Sequence, residues 1–158
     1  MTINKSFWPD KKILVTGGCG FVGSNILKYL VTNKTFHAVG TRHLKDPQFE
    51  HASVKYITTD LTKREAVQEL IKNYDVVFHA AANTSGAFVM KNNPSIHVIE
   101  NTLINSLVLD TAAKAGVKQF IFISSSAIYP ERPTLMKEEE GFMDDPANIY
   151  FGVGWMKR

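Results

Sequence analysis

The stretch that decides the fold is Thr16-Gly17-Gly18-Cys19-Gly20-Phe21-Val22-Gly23. Before it, an apolar run at residues 13–15 follows two lysines, which is typical of a short buried strand. After it, apolar residues recur at helical spacing from residue 21 onward. A strand, a glycine turn and a helix in this order predict the first unit of a dinucleotide-binding sheet.

Three glycines of the turn are expected to have different structural roles. We expect Gly17 to permit the sharp turn out of the strand, Gly20 to let the backbone approach a pyrophosphate, and Gly23 to let the helix pack closely on the strand. The pyrophosphate would accept hydrogen bonds from main-chain N–H groups at the positive end of the helix, where Phe21 and Val22 lie.

The bulk composition excludes several functional classes. The 158 residues, 44% hydrophobic and 21% charged, suffice for one globular domain with its own core. The net charge of +3 comes from scattered lysines and arginines without a basic stripe, which argues against a nucleic-acid partner. One cysteine excludes an internal disulfide framework, and no Cys/His cluster has metal-ligand spacing. Without a signal peptide or a membrane-length apolar run, we expect a cytoplasmic protein with no membrane partner.

Strand and helix signals alternate along the chain. Strands are predicted near residues 12–16, 36–41, 54–58, 75–80 and 117–124, the last being very apolar and therefore expected at the centre of the sheet. Helices are predicted at 21–33, from a capping box of Thr62 and Glu65 to about Asn73, from Asn93-Pro94 to Gly116, and from about Pro146 onward. The alternation predicts an α/β fold, a doubly wound parallel sheet of strand order 3-2-1-4-5 in three α/β/α layers.

Residues 1–158 are assigned to a single NAD(P)-binding Rossmann domain. Because the sequence stops at Arg158, before a sixth strand, we expect the N-terminal half of a larger enzyme whose C-terminal substrate region is absent. A self-sufficient small Rossmann domain is the alternative.

Two segments bear on which dinucleotide is bound. Gly40-Thr41-Arg42-His43, at the end of the second strand, lacks the acidic residue that NAD-selective proteins place there for the ribose hydroxyls. Arg42 can instead pair with the 2′-phosphate of NADP, so NADP is favoured over NAD, although an arginine on a solvated turn fits the same pattern. Asp60 and Leu61, after the third strand, are placed to meet the adenine ring, unless Asp60 only stabilises a turn.

Three further motifs carry a family resemblance. His79-Ala80-Ala81-Ala82 follows the fourth strand, Asn101 lies in the long helix, and Ser124-Ser125-Ser126-Ala127-Ile128-Tyr129-Pro130 follows the fifth strand. Together with the glycine turn, they resemble the extended short-chain dehydrogenase/reductase superfamily, in particular its nucleotide-sugar branch and the GDP-fucose synthase-like enzymes. The resemblance covers residues 11–157.

The resemblance implies a role for each motif. Ala80, Ala81 and Ala82 would contact the cofactor, supported by Asn101, the family's structural helix asparagine. Ser125 would polarise a sugar hydroxyl, a tyrosine would carry the proton, and Lys157 would hold the nicotinamide ribose and lower the tyrosine pKa. The substrate would be a nucleotide sugar, lined by residues of the loop after the fourth strand and of the serine segment: Asn83, Thr84, Ser85 and Ser126.

The family's Tyr-x-x-x-Lys pair is altered in this sequence. If Tyr150 is the tyrosine, the lysine position is Gly154; if Lys157 is the lysine, the tyrosine position is Val153. Four helical residues rise about 6 Å, whereas Tyr150 to Lys157 would span about 10.5 Å, too far for Lys157 to activate Tyr150 fully. We favour the second register with Tyr150 as a displaced substitute; a non-helical start, a lost tyrosine and a variant mechanism remain open.

Two functions remain open at this point. The first is the cofactor half of an NAD(P)-dependent nucleotide-sugar epimerase, dehydratase or reductase. Ala127 stands where GDP-fucose synthase-like enzymes carry a reactive cysteine, which favours simpler redox steps. The second is a dinucleotide-binding module without turnover, which Val153 permits. The resemblance also implies a homodimer built from the long helix, here 94–115, and the tyrosine helix, and the second of these is nearly absent from this sequence.

Overall fold

The structure, a computed structural model, describes residues 10–34, 37–84, 87–93 and 95–158. The chain forms two compact units. The first comprises Met1–Ala81 and Ser106–Ile123, and the second comprises Ala82–Asn105 and Ser124–Arg158. Each unit is described separately.

The first unit contains a parallel sheet of five strands. They are β1 (Ile13–Thr16), β2 (Ala38–Arg42), β3 (Val54–Thr58), β4 (Val76–His79) and β5 (Gln119–Phe122), in the order β3-β2-β1-β4-β5. In register, Ile13 of β1 faces Ala38 on one side and Val76 on the other. The predicted α/β class, parallel sheet and strand order are therefore confirmed.

The described helices follow the strands. They are α1 (Phe21–Lys34), α2 (Arg64–Ile71), α3 (Ala87–Asn92), α4 (Val98–Lys114) and α5 (Phe151–Lys157). Helix α1 packs on the middle of the sheet, because its buried apolar face meets β1, β2 and β4. This core consists of Ile13, Val15, Leu27, Leu30, Val31, Ala38 and Val76. The C-terminal end of β1 is thereby fixed at the turn that leads into α1.

The predicted starts of two helices are wrong, and one helix was not predicted. Thr62 and Glu65 do not form a capping box, because Thr62 hydrogen-bonds Asp60 and α2 begins only at Arg64, after Lys63. The long helix begins at Val98, since Ser95–His97 form a turn in which Val98 N–H donates to Ser95 O at 3.0 Å; Pro94 lies outside the described residues. Helix α3 was not predicted.

The position of the last strand and the start of the last helix also differ from the prediction. Among the described strands, β5 lies beside β4 at one edge of the sheet and not at its centre as predicted; Phe120, Ile121 and Phe122 are half-buried and Gln119 is exposed. The predicted helix from Pro146 begins later, at Phe151, after a 3₁₀ turn at Asn148–Tyr150. Gly116 ends α4 as predicted, with a positive φ of 72° and a hydrogen bond from its N–H to Ala113 O.

Candidate cofactor and catalytic residues

In the first unit, the backbone of the glycine turn lies in close contact with the backbone that follows β4. Gly17 has φ +69°, and a Cβ there would lie 2.8 Å from the backbone N and Cα of Ala81, just after β4. A Cβ on Gly23 would lie 2.2 Å from the Gly17 carbonyl oxygen, so that only glycine lets α1 begin this close to the turn. A Cβ on Gly20 would meet only Gly17 O, at 3.3 Å, which leaves the other side of Gly20 open.

The same turn presents main-chain donors at the start of α1. Gly17 N–H donates to Thr41 Oγ1 and Gly18 N–H to Thr41 O, both at 2.9 Å. The first bond of the helical ladder runs from Ser24 N–H to Gly20 O at 2.9 Å. The N–H groups of residues 21–23 precede that bond and have no acceptor within the helix. Donors at a helix N-terminus beside an unobstructed glycine fit a pyrophosphate.

A buried hydrogen-bond chain holds the two sides of this turn together. Thr16 Oγ1 is 2.7 Å from His79 Nδ1 and accepts a hydrogen bond of 3.2 Å from Ala81 N–H. His79 also stacks on Phe122, with ring centroids 5.8 Å apart. Ala80 and Ala81 are half-buried behind the turn, and Ala82, the first residue of the second unit, is exposed.

Arg42 lies at the end of β2, as the sequence predicts, but it has a partner that the sequence analysis missed. Its Nε donates to Thr58 Oγ1 at 2.9 Å, and its Nη1 pairs with Asp46 Oδ1 at 3.1 Å. The acidic partner of Arg42 thus comes from the loop that follows β2. No signal in the sequence indicated this pair, because a spacing of four residues predicts a contact only in a helix and residues 43–46 are not helical.

Asp60 and Leu61 lie in the turn after β3. Asp60 Oδ1 accepts hydrogen bonds from Thr62 Oγ1 at 2.6 Å and from Thr62 N–H at 2.9 Å. These bonds, the hydroxyl first, lower the pKa of the Asp60 carboxyl, while Leu61 is buried. Asp60 therefore stabilises its own turn, and its contact with adenine remains a prediction.

In the second unit, Asn101 fixes the residue that follows the fourth strand's alanines. Asn83 N–H donates to Asn101 Oδ1 at 2.7 Å, and Asn101 Nδ2 donates to Asn83 O at 2.8 Å and to His97 O at 2.7 Å. The exposed Asn83 side chain donates to Glu100 Oε2 at 2.8 Å. Thr84 is exposed, and Ser85 lies outside the described residues. Asn101 therefore acts here as a clamp on the backbone of Asn83.

The serine segment forms a short turn that is stabilised by one of its own side chains. Ser125 Oγ accepts the N–H of Ala127 at 3.2 Å and begins the 3₁₀ turn Ser126–Ile128. Ser125 is half-buried, whereas Ser126 is exposed. With one lone pair of Ser125 Oγ used in the turn, the hydroxyl proton is left to donate to a ligand.

Helix α5 docks directly on that turn. A Cβ on Gly154 would lie 2.4 Å from Ala127 O and 2.4 Å from Pro146 Cβ, so only glycine allows this approach. Arg158 Nη2 donates to Ile128 O at 2.6 Å, and Ser124 Oγ donates to Lys157 O at 3.4 Å. The backbone of the last turn of α5 is thus attached to the serine segment.

The structure gives the positions of the tyrosine and lysine candidates along α5. Tyr150 precedes the helix, with φ −113° and ψ 9°, and Phe151–Lys157 are helical. From Phe151 to Lys157 the helix rises about 9 Å, so the non-helical residue at its start does not bring Tyr150 within one turn of Lys157. Val153 does lie one turn from Lys157 and is half-buried. Burial lowers the pKa of the Lys157 ammonium.

Over the part of the chain that the structure describes, no helix is both long and apolar enough to cross a membrane. Within the same residues, no three or more His, Cys, Asp or Glu side chains come together as metal ligands would.

Several known enzymes are similar to this chain over most of its length. GDP-mannose 3,5-epimerase 1 of Oryza sativa subsp. indica is 29% identical over 157 residues, which cover 92% of this chain and 41% of that protein. GDP-L-fucose synthase of Sinorhizobium fredii is 26% identical over 148 residues, which cover 90% of this chain and 43% of that protein. The structure of Thermus thermophilus UDP-glucose 4-epimerase in complex with NAD is 27% identical, with a TM-score of 0.76 over 92% of this chain and 47% of that one.

The chain thus spans less than half the length of these relatives. The epimerase and the synthase match at similar identity, so the comparison supports the extended short-chain dehydrogenase/reductase family as a whole without selecting a GDP-fucose synthase. The sequence model of the NAD dependent epimerase/dehydratase family matches residues 13–151, and the chain belongs to that family.

Proposed function

We propose that this chain is the cofactor-binding part of an NAD(P)-dependent nucleotide-sugar epimerase, dehydratase or reductase of the GDP-fucose synthase-like type. The observation that carries the proposal is the turn in which Gly17 lies against Ala81 and α1 begins with unpaired main-chain donors. The relatives named above are, by their names, enzymes of GDP- or UDP-sugars, which supports a nucleotide sugar as the substrate.

Dinucleotide binding would use residues of the first unit. The N–H groups of Phe21, Val22 and Gly23 would donate to the pyrophosphate, which the α1 dipole also favours. Arg42 would pair with a 2′-phosphate through its planar guanidinium, which favours NADP over NAD. The remaining contacts are assigned to the residues after β3 and β4, namely Asp60, Leu61, Ala80, Ala81 and, in the second unit, Ala82.

Acid–base chemistry would use residues of the second unit. A nicotinamide supplies the hydride acceptor or donor when bound. Ser125 would donate its hydroxyl proton to the reacting sugar oxygen, and Tyr150 would exchange the proton that leaves or joins that oxygen. Lys157 would donate hydrogen bonds to ribose hydroxyls, and such bonds favour the charged ammonium, against the burial that lowers its pKa. Asn83, Thr84, Ser85 and Ser126 would contact the sugar.

The packing of α5 supports Lys157, and not position 154, as the family's lysine. A lysine at position 154 would place its Cβ 2.4 Å from Ala127 O and from Pro146, which the docked helix cannot accommodate. With Lys157 in the lysine position, Val153 occupies the tyrosine position one turn earlier. Tyr150 then acts from the start of the helix, at a longer distance from the lysine.

Val153 also favours a second candidate function, a dinucleotide-binding module without turnover. A valine cannot transfer a proton, and loss of a general acid–base group costs about 10²- to 10⁴-fold in rate. Such a chain would retain the glycine turn and its affinity for dinucleotides while the reaction becomes slow or absent. The two candidates differ in turnover and not in binding.

The first experiment tests dinucleotide binding. Fluorescence titration of the purified 158-residue chain with NADPH and NADH should give saturable binding, and Gly20→Asp should weaken it at least tenfold, because a carboxylate would stand where the pyrophosphate approaches. Asn73→Asp adds the same charge at an exposed turn residue that follows α2, and it should leave both affinities unchanged. Absence of binding to the unaltered chain, or an unaffected Gly20→Asp variant, would refute the proposal.

The second experiment separates the two candidates. The protein, with any downstream segment supplied, is incubated with the oxidised or the reduced cofactor and a panel of GDP- and UDP-sugars, and epimerised, dehydrated or reduced sugars are separated by chromatography and identified by mass spectrometry. Turnover that disappears in Ser125→Ala supports the enzyme. Binding of NADPH or NADH without conversion of any sugar supports the binding module.

A further inference from the structure

The guanidinium of Arg42, which would bind the 2′-phosphate, already pairs with the carboxylate of Asp46. The Nη1 of Arg42 is 3.1 Å from Asp46 Oδ1, and the Nε donates to Thr58 Oγ1 at 2.9 Å. The Thr58 bond fixes the plane of the guanidinium along the neighbouring strand. The Asp46 side chain is 93% exposed, so its own carboxylate is free to move when a competitor arrives.

The loop that carries Asp46 is attached to the sheet. Tyr56 of β3 donates its hydroxyl to Phe49 O at 2.7 Å, and Phe49 stacks on His51 with ring centroids 6.2 Å apart. His51 in turn accepts the N–H of Ser53 at 3.1 Å through Nδ1. These contacts anchor the C-terminal part of the loop between β2 and β3, and Asp46 lies earlier in the same loop.

The pair lies next to the glycine turn. Thr41, adjacent to Arg42, accepts the N–H groups of Gly17 and Gly18 at 2.9 Å each. Burial raises the pKa of the Cys19 thiol, and the charges of Arg42 and Asp46 act on it in opposite directions. Both charged groups therefore lie near the glycine turn, on the side where Thr41 contacts it.

We propose that Asp46 competes with the 2′-phosphate of NADP for Arg42 and so sets the ratio of NADP to NAD affinity. This inference rests on the proposed dinucleotide site. A phosphate that binds Nη1 must displace the carboxylate, and its charge of nearly −2 then lies near a charge of −1. NAD has no phosphate at this position and leaves the Arg42–Asp46 pair intact.

Asp46→Asn tests the competition directly. The variant keeps a hydrogen-bond acceptor for Arg42 but removes the charge, so the Kd of NADPH should fall about tenfold and the Kd of NADH should change less than about twofold. The gain for NADPH should shrink in 0.5 M NaCl, because exposed charges are screened. Glu50→Gln is the matched control: it removes one negative charge from an exposed residue of the same loop and should alter the NADPH affinity less than about twofold.

Other outcomes would overturn the inference. An unchanged Kd for NADPH in Asp46→Asn shows that the carboxylate does not compete, and an equal gain in Glu50→Gln shows a general effect of net charge. A loss of NADH affinity as large as the gain for NADPH shows that Asp46 binds the ribose itself. Failure of the dinucleotide site is distinguishable from all of these, because the unaltered chain would then bind neither NADPH nor NADH.

Discussion

Thr16 and His79 form a buried hydrogen bond of 2.7 Å across the ends of β1 and β4. The same hydroxyl accepts the N–H of Ala81 at 3.2 Å, and Ala81 is the residue whose backbone leaves no room for a Cβ on Gly17. One side chain thus links the strand before the glycine turn to the strand beside it. The turn is held in place by this link before any ligand binds.

Replacement of Thr16 by valine tests the importance of this link. Thr16→Val keeps the shape but removes a hydroxyl that serves two buried polar groups, so we expect a loss of about 2 kcal/mol in the free energy of unfolding. Urea denaturation followed by circular dichroism measures it. Thr16→Ser retains the hydroxyl and should lose less; a larger loss in Thr16→Ser than in Thr16→Val would show that the methyl group, and not the hydrogen bonds, stabilises the turn.

Gly154 allows a second prediction, about the docking of α5. Gly154→Ala places a methyl group 2.4 Å from a backbone oxygen, Ala127 O, which cannot rotate away, and we expect a loss of about 2–3 kcal/mol in stability. Gly152→Ala in the same helix is the control, because its Cβ would meet Val98 Cγ2 at 3.0 Å, a side-chain atom that can move. Alanine is also the better helix former, so Gly152→Ala should be neutral or stabilising in urea unfolding. Two equally destabilised variants would contradict the close approach of α5.

Much of the fold follows from local sequence. The strand before the glycine turn and the helix after it predict β1 and α1, and the alternation of elements predicts the order 3-2-1-4-5. The boundaries depend on contacts that sequence does not display: Thr62 pairs with Asp60 instead of capping a helix. Among the described strands, β5 is apolar but lies beside β4 at one edge, since an apolar sequence indicates burial and does not determine which strands are its neighbours.

The candidate site, like the fold, could be predicted only in part from the sequence. The spacing of the glycines and the serine segment identified the turn and Ser125, because both motifs are continuous in sequence. Asp46 was missed, since the rule used for NAD looks at the strand end and not at a loop residue that folds back onto Arg42. The close packing at Gly154 could not be predicted either, because the residue that it contacts, Ala127, lies 27 positions earlier in the chain.

Asp75 gives a prediction of pH dependence. Its carboxylate accepts from Lys118 Nζ at 2.8 Å and from Lys12 N–H at 3.1 Å, and these bonds, that of Lys118 first, lower its pKa. The unfolded chain, with a pKa of about 3.9, therefore binds the proton more readily, and stability that is present above that pH is lost as the pH falls through the lowered folded value. Urea midpoints measured from pH 6 down to pH 2.5 should fall less steeply in Asp75→Asn.

Lys118→Gln provides the control for that titration. It removes the ammonium while Asp75 stays ionisable, so the folded pKa moves back toward the unfolded one. The acid-induced loss should therefore level off at a higher pH than in the unaltered chain and have a smaller amplitude. A profile identical to that of the unaltered chain in both variants would show that the Asp75–Lys118 pair has no influence on folding.

Val153 carries the last prediction, which asks whether α5 retains the geometry of a tyrosine–lysine pair. Val153→Tyr would place a phenol one helical turn, about 6 Å along the axis, from Lys157. The lysine charge should lower the pKa of that phenol by about one to two units, and the ultraviolet absorbance change of tyrosine ionisation near 295 nm, taken as a difference from the unaltered chain, measures it. Val153→Tyr combined with Lys157→Met should return the pKa toward its ordinary value. A phenol that titrates identically with and without the lysine would place position 153 out of reach of Lys157, and the register in which Val153 replaces a catalytic tyrosine would then be wrong.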